Sequence, residues 1–130
     1  MAYTEHVNAS WERLAILKPL VWMGDSRIAV KGFPKAAREV IGFALYQAQT
    51  GGKHLNAKPL RGFGSGILEI VSDHRGDTFR AVYTVRLAGK VYVLHAFQKK
   101  SKSGIATPRG EMQLVERRFK RAIELHEQEN

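Results

Sequence analysis

The chain has 130 residues, of which 44% are hydrophobic, a composition that suits one globular domain with a core of its own. Lysine and arginine number 21 against 12 aspartate and glutamate residues, and the net charge of +9 favours a polyanionic partner: a nucleic acid, an anionic membrane surface or an acidic protein. There is no cysteine and no run of about 18 apolar residues, so disulfides, thiolate metal sites and membrane spans are excluded, and we expect a soluble cytoplasmic protein without a signal peptide.

The first half of the chain predicts an extension, a strand and a helix. Residues 1–17 predict a weakly amphipathic N-terminal extension, and residues 18–130 a single domain. The domain is expected to begin with a short strand over residues 18–23. Pro34 suits the first turn of a helix, and Gly51 and Gly52 would end it. Apolar residues recur in it at steps of three and four, at Ala37, Val40, Ile41, Ala44, Leu45 and Ala48. This stripe predicts a long helix packed against a core.

The second half predicts three strands and a last helix. Residues 53–66 read as irregular, and the strands are expected at 67–72, 78–87 and 90–97, the last two joined by a tight hairpin. Thr107 and Pro108 would cap a C-terminal helix with one apolar and one basic face. Short connections favour antiparallel pairing. We therefore expect an α+β, two-layer domain: an antiparallel sheet of about four strands, a long helix after the first strand and a C-terminal helix.

Four motifs in this half resemble a known family. The most specific is the His-x-Phe-x-Lys-Lys run within residues 93–101. The others are a Gly-x-Gly-x-x-Glu-Ile stretch at 64–70, an aromatic-Arg-x-x-Tyr stretch at 79–83, and Thr107-Pro108 at the start of the last helix. Together they resemble the HigB-type toxins, the phage-derived branch of the RelE/ParE superfamily, over about residues 18–125.

The resemblance implies a RelE-like fold and the toxin component of a type II toxin–antitoxin system. Many members of the family cut mRNA, usually on the translating ribosome, and so inhibit translation without a metal ion or other cofactor. The implied partners are mRNA and a cognate helix-turn-helix, HigA-like antitoxin, with no membrane. Such an endoribonuclease uses the substrate 2′-hydroxyl as nucleophile. It needs a proton acceptor, a proton donor for the leaving 5′-oxygen, and cations around the phosphate.

The catalytic candidates are Arg80, His95, Lys99 and Lys100. Lys99 and Lys100 are expected just past the end of a strand, either holding the scissile phosphate or forming a solvated lysine pair. Arg80 corresponds to an arginine that faces the RNA groove in relatives. His95 alternates with the apolar residues before it, which predicts either a buried, hydrogen-bonded histidine or a general acid or base.

Six further residues are candidates for RNA binding: Lys58, Arg61, His74, Arg75, Tyr83 and Lys102. Related toxins grip the RNA backbone near Lys58 and Arg61, although both could equally belong to a charged loop. Tyr83 could stack on a base or move a proton, or it could lie in the core with its hydroxyl hydrogen-bonded. His74 and Arg75 are expected in a turn, and Lys102 continues the lysine run. No metal ligands at short spacing are present.

Two departures from the family keep other functions open. Several relatives carry a catalytically important arginine where this chain has Val71. Some relatives also use a tyrosine or histidine near the C-terminus, where this chain has no tyrosine and only one histidine, His126. The first alternative is a non-enzymatic, ParE-like inhibitor of DNA gyrase. The second is a catalytically inactive, phage-derived remnant that still binds nucleic acid.

Overall fold

Five strands form one mixed sheet in the computed structural model, which describes residues 17–100 and 107–129. They are β1 (Leu20–Trp22), β2 (Ala57–Pro59), β3 (Ile67–His74), β4 (Asp77–Thr84) and β5 (Val91–Lys100), in the spatial order β1-β5-β4-β3-β2. The predicted antiparallel meander is confirmed for β3, β4 and β5. The predicted four-stranded antiparallel sheet was incomplete, because β1 pairs parallel with β5 and the segment expected to be irregular contains β2.

Three helices accompany the sheet in the described part of the chain: α1 (Ser26–Lys31), α2 (Lys35–Gln49) and α3 (Arg109–Gln128). The predicted long helix is α2, with Pro34 as its N-cap and five buried apolar residues on its stripe. Gly51 adopts φ 90° just after it, and the amide of Gly52 donates to the carbonyl of Gln47 at 2.8 Å, so glycine ends the helix as expected. The short helix α1 was not predicted.

The two long helices pack on opposite faces of the sheet, which we call the α2 face and the α3 face. The α2 face includes Ile41, Leu45, Ile70, Ala81, Tyr83 and Val93, and the α3 face includes Ile67, Val82, Tyr92, Leu94, Val115 and Ala122. Neighbouring residues of one strand alternate between these clusters, as the pleat requires. The two-layer arrangement that we predicted is therefore wrong, since helices cover both faces.

A β-bulge in β5 decides which face carries His95. Val82 of β4 is opposite His95, and the next residue of β4, Tyr83, is opposite Val93, so Leu94 is an extra residue. Leu94 packs in the cluster of the α3 face, and His95 contacts helix α3 as well. The prediction that His95 shares a face with Val91 and Val93 is wrong because strict alternation stops at this bulge.

The ends of the strands differ in detail from the prediction. Strand β4 ends at Thr84, whose hydroxyl donates to the carbonyl of Gly66 at 2.7 Å, and the connection to β5 is longer than a tight hairpin. The turn between β3 and β4 contains Arg75 and Gly76 at φ 51° and 85°, the left-handed pair of a type I′ turn. Strand β5 continues through Lys100, so both strand-end lysines belong to the strand.

The N-terminal extension predicted over residues 1–17 lies outside the described residues except for Leu17. Within the described ranges, no helix is both long and apolar enough to cross a membrane.

Candidate active site

Polar side chains gather on the α3 face where helix α3 begins. The strand register sets three successive rows on this face: Glu69, Val82 and His95; then Val71, Arg80 and Phe97; then Asp73, Thr78 and Lys99. Helix α3 enters over the first row, since the hydroxyl of Thr107 donates to Oε2 of Glu69 at 2.8 Å. The beginning of α3 therefore brings further charged groups to the predicted catalytic residues.

His95 is buried, with 5% of its surface exposed, and it forms a hydrogen bond to helix α3. Its Nε2 atom lies 3.1 Å from Oε1 of Glu111, and its ring stacks on Phe97 with centroids 5.2 Å apart. The side chain of Glu111 is 30% exposed. Because both nitrogens of His95 have partners inside the protein, the group of this pair that a substrate can reach is the Glu111 carboxylate.

The second nitrogen of His95 contacts Arg118. Nη1 of Arg118 lies 3.2 Å from Nδ1 of His95 and donates to the carbonyl of Leu94 at 3.1 Å. Nη2 of Arg118 donates to Oδ1 of Asp25 at 2.8 Å, and this hydrogen bond lowers the pKa of Asp25. Asp25, Arg118, His95 and Glu111 thus form one continuous chain of polar contacts.

Arg80 lies inside the protein rather than facing an RNA groove. It is 6% exposed, and its Nη1 atom donates to Oε1 of Glu69 at 3.0 Å. Its Nε atom has no hydrogen-bond partner among the described residues. The predicted location of Arg80 is therefore corrected: this arginine sits below the start of helix α3, where a charge-assisted bond holds it.

The strand-end lysines remain at the edge of the site. Lys99 is half-buried and lies opposite Thr78, which places it on the α3 face by strand alternation. The backbone of Lys100 lies opposite Asp77 and ends β5. Lys102 falls outside the described residues. Of the three lysines, Lys99 is the one whose side chain can be assigned to the same face as His95.

Two predicted RNA-binding residues lie in or just after strand β2, and one of them is on the α3 face. Lys58 of β2 is exposed, and its cross-strand partner is Glu69, so both belong to the α3 face. Arg61 is exposed in the turn that follows β2. Lys58 extends the row of Glu69 and His95 across the sheet, and its side chain is exposed there.

The other predicted residues lie elsewhere. Tyr83 is fully buried on the α2 face, its hydroxyl has no partner among the described residues, and burial raises its pKa to about 12. This burial removes Tyr83 from the RNA-binding candidates and also contradicts the expectation of a hydrogen-bonded hydroxyl. His74 lies beside Phe79 on the α2 face, with ring centroids 6.5 Å apart, and Arg75 is exposed at the turn. Neither shares a face with His95.

The structure also gives the positions of Val71 and His126, the two residues at which the chain departs from the family. Val71 is the cross-strand neighbour of Arg80, so an arginine at this position would lie on the α3 face. His126 lies in the last turns of helix α3, where its Nδ1 atom and the hydroxyl of Tyr92 form a hydrogen bond of 2.9 Å. Glu111 is in the first turn of the same helix, so His126 lies about 22 Å away along its axis.

Three charged residues of this site were missed from the sequence: Glu69, Glu111 and Arg118. Glu111 and Arg118 are seven residues apart, about two helical turns, so they project from one face of α3. That spacing is the signal from which the pair could have been predicted, although the sequence pattern distinguishes only one apolar and one basic face on this helix.

The arrangement offers a partly exposed carboxylate, a histidine that supports it and nearby cations. A carboxylate can accept a proton, and cations stabilise charge that develops on a phosphate. Over the described residues, no three histidine, aspartate or glutamate side chains are grouped to hold a metal ion. The carboxylate and the cations of this site suit the transfer of a proton beside a bound anion.

Over residues 17–100 and 107–129 the chain, with its net charge of +9, forms an α+β domain with a five-stranded sheet, three helices and this polar site. A model of the family described as phage-derived protein Gp49-like (DUF891) matches residues 29–120, which is more than half of the chain. The chain therefore belongs to this family, a RelE-like family related to toxin–antitoxin systems. No curated protein and no solved structure matches the chain.

Proposed function

We propose that the chain is the toxin of a type II toxin–antitoxin system, of the HigB type, and that it cuts mRNA without a metal ion. The observation that carries the proposal is the contact between His95 and Glu111 on the face that also bears Lys99. The net charge of +9 supports an RNA substrate, since it attracts a polyanion. Cleavage of mRNA on the ribosome would inhibit translation.

Glu111 is the proton acceptor in this proposal. Its carboxylate takes the proton of the substrate 2′-hydroxyl, the 2′-oxygen forms a bond to phosphorus, and the bond from phosphorus to the 5′-oxygen breaks. Lys99 and Lys100 stabilise the charge on the phosphate, and an ammonium group of this pair protonates the leaving oxygen. The products are a 2′,3′-cyclic phosphate and a 5′-hydroxyl.

His95 and Arg80 act through other groups in this scheme. His95 donates a hydrogen bond to Glu111, and its 5% exposure leaves no free nitrogen at the surface. Arg80 orders Glu69, which in turn holds Thr107 at the entry of helix α3. Both therefore position the site, and neither contacts the substrate.

The antitoxin in this proposal is a helix-turn-helix, HigA-like protein. A toxin that cuts mRNA must be neutralised in the cell that makes it. Lys58, opposite Glu69, and Arg61 are both exposed, so an acidic segment of the antitoxin would compete with RNA for these cations.

RNA binding without cleavage is the second candidate. Two observations favour it: Val71 occupies the position of a catalytic arginine in relatives, and Arg80 is engaged with Glu69 inside the protein. In that case the chain would bind RNA without cutting it.

Primer extension on cellular mRNA after induced expression separates the candidates. The proposal predicts growth arrest and new 5′ ends within coding sequences, both lost in the Glu111→Gln variant. Expression without an antitoxin that neither slows growth nor creates new ends would reject the toxin assignment.

A further inference from the structure

Arg118 joins three parts of the fold at the β-bulge. It projects from helix α3 to the bulged strand β5 and to Asp25 in the turn before helix α1, and its side chain is only 16% exposed. The carbonyl of Leu94, the extra residue of the bulge, is one of its acceptors. Nδ1 of His95 lies 3.2 Å from the same Nη1 atom.

The chemistry of this contact determines where the proton of His95 lies. An arginine side chain has five donors and no acceptor, so Nδ1 of His95 must accept the hydrogen bond with a lone pair. The hydrogen of the neutral imidazole is then on Nε2, where Oε1 of Glu111 is 3.1 Å away and accepts it. Nη1 carries two hydrogens, which serve Leu94 and His95 at once.

We propose that Arg118 is a positioning residue that holds His95 in the Nε2–H tautomer and thereby directs the imidazole hydrogen bond to Glu111. The consequence for catalysis rests on the proposed function, whereas the tautomer itself does not. With the opposite tautomer, Nε2 would present a lone pair to the Glu111 carboxylate, and the contact would be repulsive. Arg118 and Glu111 thus favour the same tautomer from the two sides of the ring, and Arg118 is the residue that disfavours a proton on Nδ1.

The backbone of Gly24 leaves the space that the guanidinium of Arg118 occupies. Gly24 has φ 53°, and a Cβ atom there would lie 2.5 Å from Cζ of Arg118, so the guanidinium rests directly against the backbone of Gly24. A lysine could not reproduce the planar fork that reaches the Leu94 carbonyl, His95 and Asp25 together.

Nitrogen NMR of the intact chain, labelled with 15N-histidine, tests this proposal. At a pH where His95 is uncharged, the wild-type protein should show Nδ1 as an unprotonated, imine-type nitrogen and Nε2 as a protonated, pyrrole-type nitrogen. In Arg118→Met, Glu111 alone still favours the Nε2–H form, so both signals should move only part of the way toward the average of the two tautomers. Arg117→Met, an exposed neighbour on the same helix, is the matched control and should leave them unchanged.

A second pair of variants displaces Arg118 without replacing it. Gly24→Ala places a methyl group against the guanidinium, whereas Gly64→Ala imposes a similar backbone strain at φ 76° with nothing within 4 Å. Only Gly24→Ala should shift the His95 signals. This comparison remains informative if Arg118→Met fails to fold.

RNA cleavage gives the functional readout. Loss of the group that sets a histidine tautomer lowers the rate about 10⁴-fold in serine proteases, and we expect the cleavage rate of Arg118→Met to fall at least about tenfold.

A wild-type spectrum with the proton on Nδ1, or unchanged tautomer signals in both Arg118→Met and Gly24→Ala, would overturn the proposal. Shifted signals in a chain whose wild type cuts no RNA would reject the proposed function and leave the positioning role intact.

Discussion

Glu111, in the first turn of the C-terminal helix, lies 3.1 Å from Nε2 of His95 on the last strand of the sheet. The two residues are 16 positions apart, and the contact depends on the bulge that turns His95 to the α3 face. The carboxylate is 30% exposed while the imidazole is 7% exposed. The pair therefore offers a substrate its carboxylate rather than its imidazole.

Glu111→Gln tests the role of that carboxylate. The amide oxygen can still accept the hydrogen bond from Nε2 of His95, so the fold and the melting temperature should be nearly unchanged. The amide cannot accept a proton, and general acid–base catalysis contributes about 10²–10⁴-fold, so RNA cleavage should fall by at least about 100-fold.

Glu116→Gln is the control for this variant. Glu116 lies on the same helix, is 57% exposed and pairs with Lys120 at 3.5 Å, away from His95. Cleavage rates of the two purified variants would be compared on one RNA substrate. Equal rates for Glu111→Gln and Glu116→Gln would remove Glu111 from the site.

The Lys99→Ala/Lys100→Ala double variant tests the strand-end cations. Removing one preorganised donor to a transition-state charge typically costs about 100-fold, so we expect growth arrest to disappear. The melting temperature should change little, because lysines at a strand end contribute little to stability. The control is the double variant Lys35→Ala/Lys53→Ala, whose two lysines are exposed at the first residue of α2 and in the loop that follows this helix. Full toxicity of the strand-end double variant would show that these lysines are not needed.

Arg80→Ala should destabilise the fold rather than act on the chemistry alone. Arg80 and Glu69 have side chains only 7% and 10% exposed, and removal of one partner of a buried ion pair costs about 3–5 kcal/mol. Chemical denaturation should therefore show a loss of about 3 kcal/mol or more. The apolar double variant Arg80→Met/Glu69→Leu should recover much of that loss. A stable but inactive Arg80→Ala protein would instead return Arg80 to the catalytic residues.

The contrast between Arg80 and helix α2 shows what the sequence could reveal. Helix α2 and the meander were predictable because their apolar residues recur at helical and strand periods, which report local burial. The Arg80–Glu69 pair depends on the register between β3 and β4, and the face of His95 depends on one extra residue in β5. Strand β2 has three residues, too few for a periodic signal. Each of these features arises from pairing between distant segments.

Tyr83→Phe tests the buried phenol through stability and pH. Its hydroxyl has no partner among the described residues, and an unsatisfied buried polar group costs about 1–3 kcal/mol, so its removal should leave the free energy of unfolding unchanged or raise it. The folded pKa of about 12 exceeds the unfolded value near 10, so the folded state holds the proton more tightly. Wild-type stability should therefore decline as the pH rises from about 10 toward 12, and Tyr83→Phe should lack this part of the decline.

Tyr92→Phe provides the comparison for the buried phenol. The hydroxyl of Tyr92 has a 2.9 Å hydrogen bond with His126, so its loss should destabilise the protein by about 1 kcal/mol. Urea unfolding of both variants at neutral and alkaline pH would measure the difference. A destabilised Tyr83→Phe variant would show that its hydroxyl has a partner that stabilises it.

Cleavage of an RNA that carries a single 2′-deoxynucleotide at the cut site tests whether the chain cuts RNA with the substrate 2′-hydroxyl as nucleophile. The purified chain, alone or with translating ribosomes and with EDTA in the ribosome-free reaction, would be given the all-RNA substrate and its 2′-deoxy counterpart. We expect the all-RNA substrate to be cut to a 2′,3′-cyclic phosphate and a 5′-hydroxyl, and the 2′-deoxy substrate to stay intact at that position. Equal cleavage of the two substrates, or no cleavage of either under both conditions, would contradict this expectation.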